Sequence, residues 1–385
     1  MVGVDRRVNL TYGLLSTYPP TACGLATFTA ALEGGLTRSD RLGDTCLVVR
    51  AVETRGGSPA HVAAELVAGS AASLQAAVAT LNDADVAIIQ HEYGIFGGRD
   101  GAEVLEVLDG LTIPTIVVLH TVPLDPTPHQ REVLEAVAAR ADAVITMTDA
   151  ARRRLGAGYV VEMGKVAVIP HGAHVERSRS TAPAAGDRPT ILTWGLIGPG
   201  KGIEWGIEAL ALLCDLEPRP RYLVVGETHP KVLAARGEEY RDGLTALAAR
   251  RGLANQVEFN ATYLDVPSLQ RIVRAATLVL LPYDSADQIT SGVLIDAVAA
   301  GKPVISTRFP HAIELLGGGV GLLVDHRDPA AIAAALRRVL TDASLRSAMA
   351  AAAERLAPGL AWSAVADRYR VVAARLVARQ TTAVA

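Results

Sequence analysis

The stretch TILTWGLIGPGKGIEWGIEALALLC, residues 190–214, decides the fold. It opens with an apolar run at residues 190–194 and continues into a loop with four glycines. Apolar side chains then follow at spacings of four, three and four residues: Ile203, Ile207, Leu210 and Cys214. The uninterrupted run predicts a strand buried on both faces, and the spacing predicts a helix with one apolar face. A strand, a short loop and a helix form the unit from which parallel α/β sheets are built.

The same alternation of apolar runs and helical stretches extends over the whole chain. In the first half, strands are predicted at residues 8–15, 45–52, 85–90, 115–120, 143–148 and 165–170. Helices are predicted between them at residues 24–34, 71–82, 131–141 and 149–155. In the second half, strands are predicted at residues 190–194, 221–225, 256–260, 278–282, 303–307 and 321–324. The predicted fold class is therefore α/β, with a parallel sheet in each half.

The length and the linker pattern predict two domains. A chain of 385 residues is long enough for two cores of ordinary size. Residues 176–189 are rich in Arg, Ser, Ala and Pro and have no apolar periodicity, so we interpret them as a linker. The chain closes with a predicted helix at residues 363–379, whose apolar face consists of Val365, Tyr369, Val372 and Leu376. We therefore expect domains at residues 1–178 and 188–361, followed by a C-terminal helical segment at 362–385.

Composition and charge exclude several classes of protein. The net charge of −3 lacks the basic excess typical of a nucleic-acid binder. The three cysteines form no CxxC pair and fit a reducing compartment. The charged segment at residues 1–7 is unlike a signal peptide, and no apolar stretch approaches the length of a membrane span. We expect a cytoplasmic protein, with peripheral contact at the inner membrane face left open.

Two glycine-containing loops follow predicted strands, where open α/β sheets bind their ligands. The loop YPPTACGLATF, residues 18–28, leads into a helix at Gly24, and the loop WGLIGPGKG, residues 194–202, contains Lys201. Backbone N–H groups at a helix start, together with a lysine, suit a diphosphate. The second loop is not a Walker A motif, because Gly202 follows the lysine. An ordinary turn and a flexible loop with a solvated lysine are the alternatives.

A third candidate lies in YDSADQITSGVLIDAVAAG, residues 283–301. Thr290 or Ser291 can cap the helix that follows, leaving the N–H groups of Gly292 and Val293 pointing out of its end. Such an end binds anions through its backbone donors and its dipole. Asp296, about one turn further, could accept ribose hydroxyl protons, or it could simply complement the helix dipole.

Four histidines are predicted at or just beyond the ends of strands: His91, His120, His171 and His229. A lone histidine is usually structural, but this shared position favours a cleft lined by at least two of them. No histidine pair has zinc-like spacing with a third ligand, and no GxSxG elbow is present. The GxGxxG fingerprint is also missing after the first strand, which argues against an oxidoreductase.

At these residues the chain resembles the retaining glycosyltransferases of family 4, also called group 1, which have the GT-B fold. The motifs that carry the resemblance are PGKGIE, QITSGVLIDAVAAGKPVIST, GVGLLVD, GETHP and HAIELL. The resemblance implies two Rossmann-like domains with parallel sheets facing a central cleft. The first domain would lie on the acceptor side and the second on the donor side, and the C-terminal helix would cross back to the first.

The resemblance also implies roles for individual residues. Lys201 would bind the donor diphosphate, Asp296 would bind the ribose, and His120 would contact the transferred sugar. Gln288 stands at the first glutamate of the E-x7-E motif and Asp296 at the second; Leu196 stands where the family often has arginine. Further donor contacts are expected from Gly24, Gly195, Gly200, Gly226, Thr290, Ser291, Gly292 and Val293. Contacts to sugar or acceptor are expected from His91, Glu92, His171 and His229.

The resulting expectation is a retaining, metal-independent hexosyltransferase with His120, Lys201 and Gln288 as catalytic residues. Its donor would be a nucleotide-diphosphate sugar, with GDP-mannose favoured over UDP-glucose, and it would need no cofactor. The acceptor would be a hydroxyl of a glycan, a lipid-linked molecule or a small metabolite. A non-catalytic nucleotide-sugar sensor and a GT-B phosphorylase or epimerase are the alternatives.

Overall fold

The protein is described from a computed structural model, which covers residues 9–38, 43–175 and 188–384. The chain divides into two compact units. One contains residues Met1–Gly172 together with Trp362–Ala385, and the other contains Ala173–Ala361. The predicted linker at residues 176–189 lies almost wholly outside the described residues.

The N-terminal unit is built on a seven-stranded parallel sheet with the order β3-β2-β1-β4-β5-β6-β7. Its strands are β1 Thr11–Ser16, β2 Thr45–Val52, β3 Val62–Val67, β4 Val86–His91, β5 Thr115–Leu119, β6 Ala143–Thr146 and β7 Val166–Val168. The central strands β4 and β5 are buried along their whole length, because helices cover both faces.

The helices of this unit are α1 Gly24–Thr37, α2 Ala71–Asn82, α3 Val104–Gly110, α4 Pro128–Arg140 and α5 Asp149–Gly158, with short 3-10 turns at Arg99–Gly101 and Met163–Lys165. Four of these helices, α1, α2, α4 and α5, begin at side-chain caps that the sequence supplies. Ser70 caps α2, and Thr127 forms a capping box with Gln130 at α4. The final helix of the chain, Trp362–Val384, lies on α1 so closely that a Cβ on Gly35 would come within 2.9 Å of the Trp362 carbonyl oxygen.

The C-terminal unit repeats the design with a six-stranded parallel sheet in the order β10-β9-β8-β11-β12-β13. Its strands are β8 Thr190–Trp194, β9 Arg221–Val225, β10 Val257–Asn260, β11 Leu278–Leu281, β12 Val304–Thr307 and β13 Gly321–Val324. Its helices are α6 Ile203–Ala211, α7 Pro230–Arg236, α8 Glu239–Arg250, α9 Val266–Ala275, α10 Gly292–Ala299, α11 Pro310–Leu316, α12 Pro329–Thr341 and α13 Ala343–Leu360; Trp362–Val384 is therefore α14.

All twelve predicted strands are present, with ends that shift by a few residues, while strand β3 and helix α3 of the N-terminal unit were not predicted. Strand β3 lies at the sheet edge and is half exposed, so its sequence does not form the apolar run that predicts a buried strand. Helix α3 is only seven residues long. The predicted helical stripe was wrong at Cys214: α6 ends at Ala211, Cys214 is exposed, and Leu213 is buried instead.

The strand order locates the candidate site. Each sheet reverses its direction of winding between its first and fourth strands, β1 and β4 in one unit and β8 and β11 in the other. Ligands of doubly wound sheets bind beyond the carboxyl ends of the strands at such a switch point. The loops after β8 and β11 carry Lys201 and the start of α10. Among the helices that the structure describes, none is both long and apolar enough to cross a membrane.

Candidate functional site

In the C-terminal unit, glycines allow the loops after β8, β9 and β11 to approach one another. Gly202 has φ 62°, and a Cβ there would collide with the Pro282 carbonyl oxygen. Gly226 has φ 133°, and a Cβ there would collide with the carbonyl oxygen of Gly195. An L side chain is disfavoured at both positions by the backbone conformation and by the lack of space. The loop geometry therefore depends on glycine at these two residues.

The loop after β8 also lies against the start of α10. A Cβ on Gly195 would stand 3.6 Å from Val293 Cγ2. Ile197 donates its N–H to the Glu227 carbonyl at 2.8 Å, and His229 donates to the Ile197 carbonyl at 2.8 Å. Predicted donor residues from three separate loops thus lie side by side within this unit.

Lys201 lies over an aromatic ring. Its Nζ is 4.5 Å from the centre of the Tyr283 ring, a cation–π distance. Tyr283 is buried and stacks on Phe309 with ring centroids 5.6 Å apart. Within the described part of the chain, Lys201 has no carboxylate partner. Its positive charge therefore remains available for an anion.

Asp284, the acidic residue beside this loop, has partners of its own. Its backbone N–H donates to the Gly200 carbonyl at 3.0 Å. Its carboxylate accepts the Trp205 indole N–H at 2.8 Å and the Arg327 Nε–H at 3.2 Å. These bonds hold the glycine loop to the end of β11 and give the carboxylate partners other than Lys201.

The start of α10 presents backbone donors. Ser291 is the N-cap, and its hydroxyl accepts the Leu294 N–H at 3.3 Å. The Ser291 N–H itself donates to Nδ1 of the buried His311 at 2.9 Å. Within the described residues, the N–H groups of Gly292 and Val293 have no partner, as expected for the first turn of a helix. Two unpaired donors at the positive end of a helix form an anion site.

Gln288 and Thr290, which lie just before this cap, differ in how their side chains are bonded. The Gln288 side-chain amide donates to the Thr290 carbonyl at 2.9 Å, so it stabilises its own loop. The Thr290 hydroxyl oxygen is buried and makes no hydrogen bond in the described part of the chain. Thr290 therefore carries an unsatisfied polar atom beside the anion site, while the Gln288 amide is already engaged.

Asp296 lies one turn into α10. Although the residue is only half-buried, burial of its carboxyl group raises the pKa to about 7. At neutral pH this carboxyl is therefore close to half protonated, and a hydrogen-bond donor such as a ribose hydroxyl would favour its charged form.

His229 lies within electrostatic range of Lys201. Burial, the charge of Lys231 and the charge of Lys201, in that order, lower its pKa. Its Nδ1 accepts the Lys231 N–H at 3.2 Å, so the ring caps α7. Gly226 lies in the same loop as His229, and its carbonyl accepts a hydrogen bond from the buried Arg241 at 2.8 Å.

In the N-terminal unit, three histidines lie at the carboxyl edge of the sheet. His91 is fully buried against Tyr93, with ring centroids 5.2 Å apart. The rings of His120 and His171 pack edge-on against Phe28, at 4.9 and 5.0 Å. Burial is the main cause that lowers their pKa values, to about 4 for His91, 3 for His120 and 4 for His171. All three rings are therefore neutral at physiological pH.

Gly24 and Glu92 complete the predicted set in this unit. A Cβ on Gly24, the first residue of α1, would meet no atom within 4 Å. The Glu92 carboxylate accepts hydrogen bonds from the Thr121 hydroxyl and from the Tyr93 N–H, so it is anchored to neighbouring loops. Gly24 thus borders open space, whereas the Glu92 carboxylate already has partners.

Four residues that contact the predicted site were not singled out from the sequence: Gln90, Arg241, Tyr283 and His311. Tyr283 and Gln90 lie at strand ends, and that position was the one signal that could have identified them. In the described ranges no group of three or more His, Cys, Asp or Glu side chains is arranged to hold a metal ion.

Comparison with known proteins identifies the class. Anabaena Alr3699/HepE in complex with UDP superposes with a TM-score of 0.74, covering 95% of this chain and 100% of that one at 18% identity. Sucrose-phosphate synthase from Thermosynechococcus elongatus superposes with a TM-score of 0.73, covering 97% of this chain and 100% of that one at 18% identity. The two parallel-sheet units therefore have the GT-B glycosyltransferase fold.

The family follows from the sequence of the C-terminal unit. Residues 175–356 match the family described as "Glycosyl transferases group 1". The D-inositol 3-phosphate glycosyltransferase of Streptomyces avermitilis is 33% identical over 263 residues, 63% of this chain and 55% of that protein. The protein of the same name from Corynebacterium jeikeium is 31% identical over 62% of this chain and 59% of its own length. Residues 175–356, most of the C-terminal unit, thus match the group 1 glycosyltransferases, and the chain spans little more than half the length of the two D-inositol 3-phosphate glycosyltransferases.

Proposed function

We propose that this chain transfers a hexose from a nucleotide-diphosphate sugar to an acceptor hydroxyl, with retention at the anomeric carbon and without a metal ion. One observation supports this most strongly. Within residues 188–384, the Lys201 ammonium has no carboxylate partner and the Gly292 and Val293 N–H groups are unpaired, and these groups belong to adjoining loops of the same unit. Together they supply the positive charge that a departing diphosphate requires.

In the proposed reaction, the bond between the anomeric carbon and the diphosphate oxygen breaks as the acceptor oxygen bonds to the same face of that carbon. Lys201 and the start of α10 stabilise the growing negative charge, and the acceptor proton passes to the departing phosphate oxygen. Asp296 accepts the ribose hydroxyls, and Gly24 leaves room for the phosphate. His120 contacts the sugar as a neutral ring.

The donor base and the acceptor are narrower proposals. GDP-mannose is the first donor to test, on the resemblance described above. UDP-glucose is the second, supported by the UDP bound in the structurally similar Alr3699/HepE. The names of the relatives supply an inositol phosphate as the first small-molecule acceptor to test, beside glycan and lipid-linked hydroxyls. Cytoplasmic location, with or without peripheral membrane contact, remains a prediction.

The proposal is tested first by binding and then by turnover. A ligand that binds only the native state raises the melting temperature. We therefore expect one base family of nucleotide sugars, in EDTA, to stabilise the wild-type protein and not Lys201→Ala. Turnover with an accepted acceptor should release the nucleoside diphosphate and form a product with the donor's anomeric configuration.

Other outcomes identify the alternatives. Donor binding without nucleotide release for any acceptor would indicate a sensor. Conversion of the nucleotide sugar alone would indicate an epimerase, and dependence on inorganic phosphate would indicate a phosphorylase. Loss of activity in EDTA that added metal restores would contradict metal independence.

A further inference from the structure

Two polar side chains, Gln90 and His120, meet at the carboxyl ends of β4 and β5. Gln90 is the fifth residue of β4 and is 1% exposed. Its side-chain oxygen Oε1 lies 2.7 Å from Nε2 of His120, which directly follows β5. This is the only hydrogen bond that the His120 ring makes within the described residues.

The sheet register explains why these side chains meet. Gln90 pairs with Val118 across β4 and β5, and the His120 N–H donates to the His91 carbonyl at 3.1 Å. Side chains two residues apart on a strand point to the same face. Gln90 and His120 therefore continue the face on which Ile88 and Val118 pack under Phe28. Phe28 meets the His120 ring edge-on at 82°, which restricts its rotation.

The chemistry of the pair determines the position of the ring proton. A carbonyl oxygen only accepts, so a neutral histidine bonded to Gln90 Oε1 through Nε2 carries its single proton there. Nδ1 is then unprotonated, and it has no hydrogen-bond donor in the described part of the chain. The ring is neutral because burial, together with His171 and His91, lowers its pKa to about 3.

We propose that Gln90 is a positioning residue that holds His120 with its proton on Nε2, so that Nδ1 accepts a hydrogen bond from a hydroxyl of the transferred sugar. The second half of this statement rests on the proposed function. A sugar hydroxyl is the class of donor that a neutral acceptor nitrogen suits. The buried Ser16 hydroxyl, on the strand paired with β4, and the Gln90 amide nitrogen have no partners in the described residues. Neither competes for Nδ1.

The tautomer is measured directly on the intact protein labelled with 15N-histidine. Protonated and unprotonated ring nitrogens have well-separated 15N shifts, and the His120 signals among the nine histidines are assigned by their loss in His120→Ala. We expect Nε2–H in the wild type and in Gln90→Glu, and a mixture in Gln90→Leu. Nδ1–H in the wild type, as a turned amide donating to Nε2 would produce, would overturn the assignment.

The second measurement compares the affinities of a nucleotide-diphosphate sugar and of the nucleoside diphosphate alone. Gln90→Leu should weaken binding of the sugar form by about three- to tenfold, the usual effect of one hydrogen bond, and leave the nucleoside diphosphate unaffected. In a His120→Ala background, Gln90→Leu should add nothing. Gln256→Leu, a change of the same type in the other unit, should alter neither affinity.

The outcomes separate the two proposals. Equal weakening of both ligands by Gln90→Leu would indicate a general structural role and would contradict the positioning role. If no nucleotide sugar binds the wild-type protein, the proposed function fails, while the measured tautomer still decides whether Gln90 sets the His120 proton.

Discussion

The Lys201 ammonium lies 4.5 Å from the centre of the Tyr283 ring, and this ring in turn stacks on Phe309. Among the residues that the structure describes, the lysine thus contacts an aromatic face at the end of β11 and no carboxylate. A carboxylate would neutralise the charge that binds an anion, whereas a ring orients the ammonium and leaves the charge in place.

Removing the Lys201 ammonium and removing the Tyr283 ring should weaken donor binding to different extents. We expect Lys201→Ala to lower kcat/KM at least tenfold, because it removes the charge opposite the diphosphate. Tyr283→Leu should lower kcat/KM by about two- to fivefold, the effect of one partly exposed cation–π contact. Tyr283→Phe keeps the ring and should match the wild type.

The matched control for this prediction is Lys231→Ala, which removes an exposed lysine that also lies near His229. It should leave kcat/KM within about twofold of the wild type, as screened surface charges do. Wild-type turnover by Lys201→Ala would remove the lysine from the mechanism.

The raised pKa of Asp296 predicts a pH-dependent donor affinity. The carboxyl group has a pKa of about 7 without ligand, and ribose hydroxyls bind its charged form. Affinity for a nucleotide-diphosphate sugar should therefore be constant above pH 7 and fall as the pH decreases below it, by up to about tenfold per unit. Calorimetry at pH 7 should detect proton release on binding.

Two variants check this assignment. Asp296→Asn should bind the donor more weakly and lose the dependence below pH 7. His229→Asn, which removes a nearby titrating ring, should keep the pH dependence of donor affinity. A pH dependence that persists in Asp296→Asn would assign the titration to another group.

The open space at Gly24 separates a ligand effect from a folding effect. A Cβ there would meet no protein atom within 4 Å, so Gly24→Ala should leave the melting temperature within a degree or two. If the donor phosphate occupies that space, the methyl group should weaken donor binding about tenfold or more. Gly158→Ala, also in open space but within α5, should change neither property. Unchanged donor affinity in Gly24→Ala would exclude a phosphate at α1.

The C-terminal helix should stabilise the N-terminal unit through one buried ion pair. Arg370 donates its Nε–H to Asp44 at 2.9 Å and also binds the Gly35 and Leu36 carbonyls at the end of α1. Both side chains are almost fully buried. Arg370→Ala leaves the buried Asp44 carboxylate with the Leu10 N–H but without its cation, and it should lower the free energy of unfolding by about 3–5 kcal/mol.

The control for the ion pair is the exposed pair of Arg140 and Asp109, which lie 2.6 Å apart on the surface. Arg140→Ala should cost less than about 1 kcal/mol in denaturant unfolding. If both variants lose equally little free energy of unfolding, the buried pair does not stabilise the N-terminal unit.

The sequence alone was sufficient for the fold class and for the twelve strands that it predicted. Buried parallel strands are encoded as uninterrupted apolar runs, and a helix start can be encoded by a capping residue such as Ser291, so both are recognised from neighbouring residues. The glycine loop around Lys201 and the start of α10 were predicted for the same reason. Their positions after β8 and β11 place them at the switch point of the sheet once the strand order is known.

The partners of those residues were decided only by the tertiary structure. Three contacts join residues that are far apart in the sequence. Lys201 and Tyr283 are 82 positions apart, Ser291 and His311 are 20 apart, and Gln90 and His120 are 30 apart. No local pattern encodes such pairs, because they depend on strand register and on the directions in which side chains leave different elements. Gln288 illustrates the same limit, since the resemblance aligns it with the first glutamate of the E-x7-E motif while its amide is bonded to its own loop. The sequence by itself determined which segments carry charge and backbone donors, and the packing of distant segments decided which of those groups remain unpaired and able to bind a ligand.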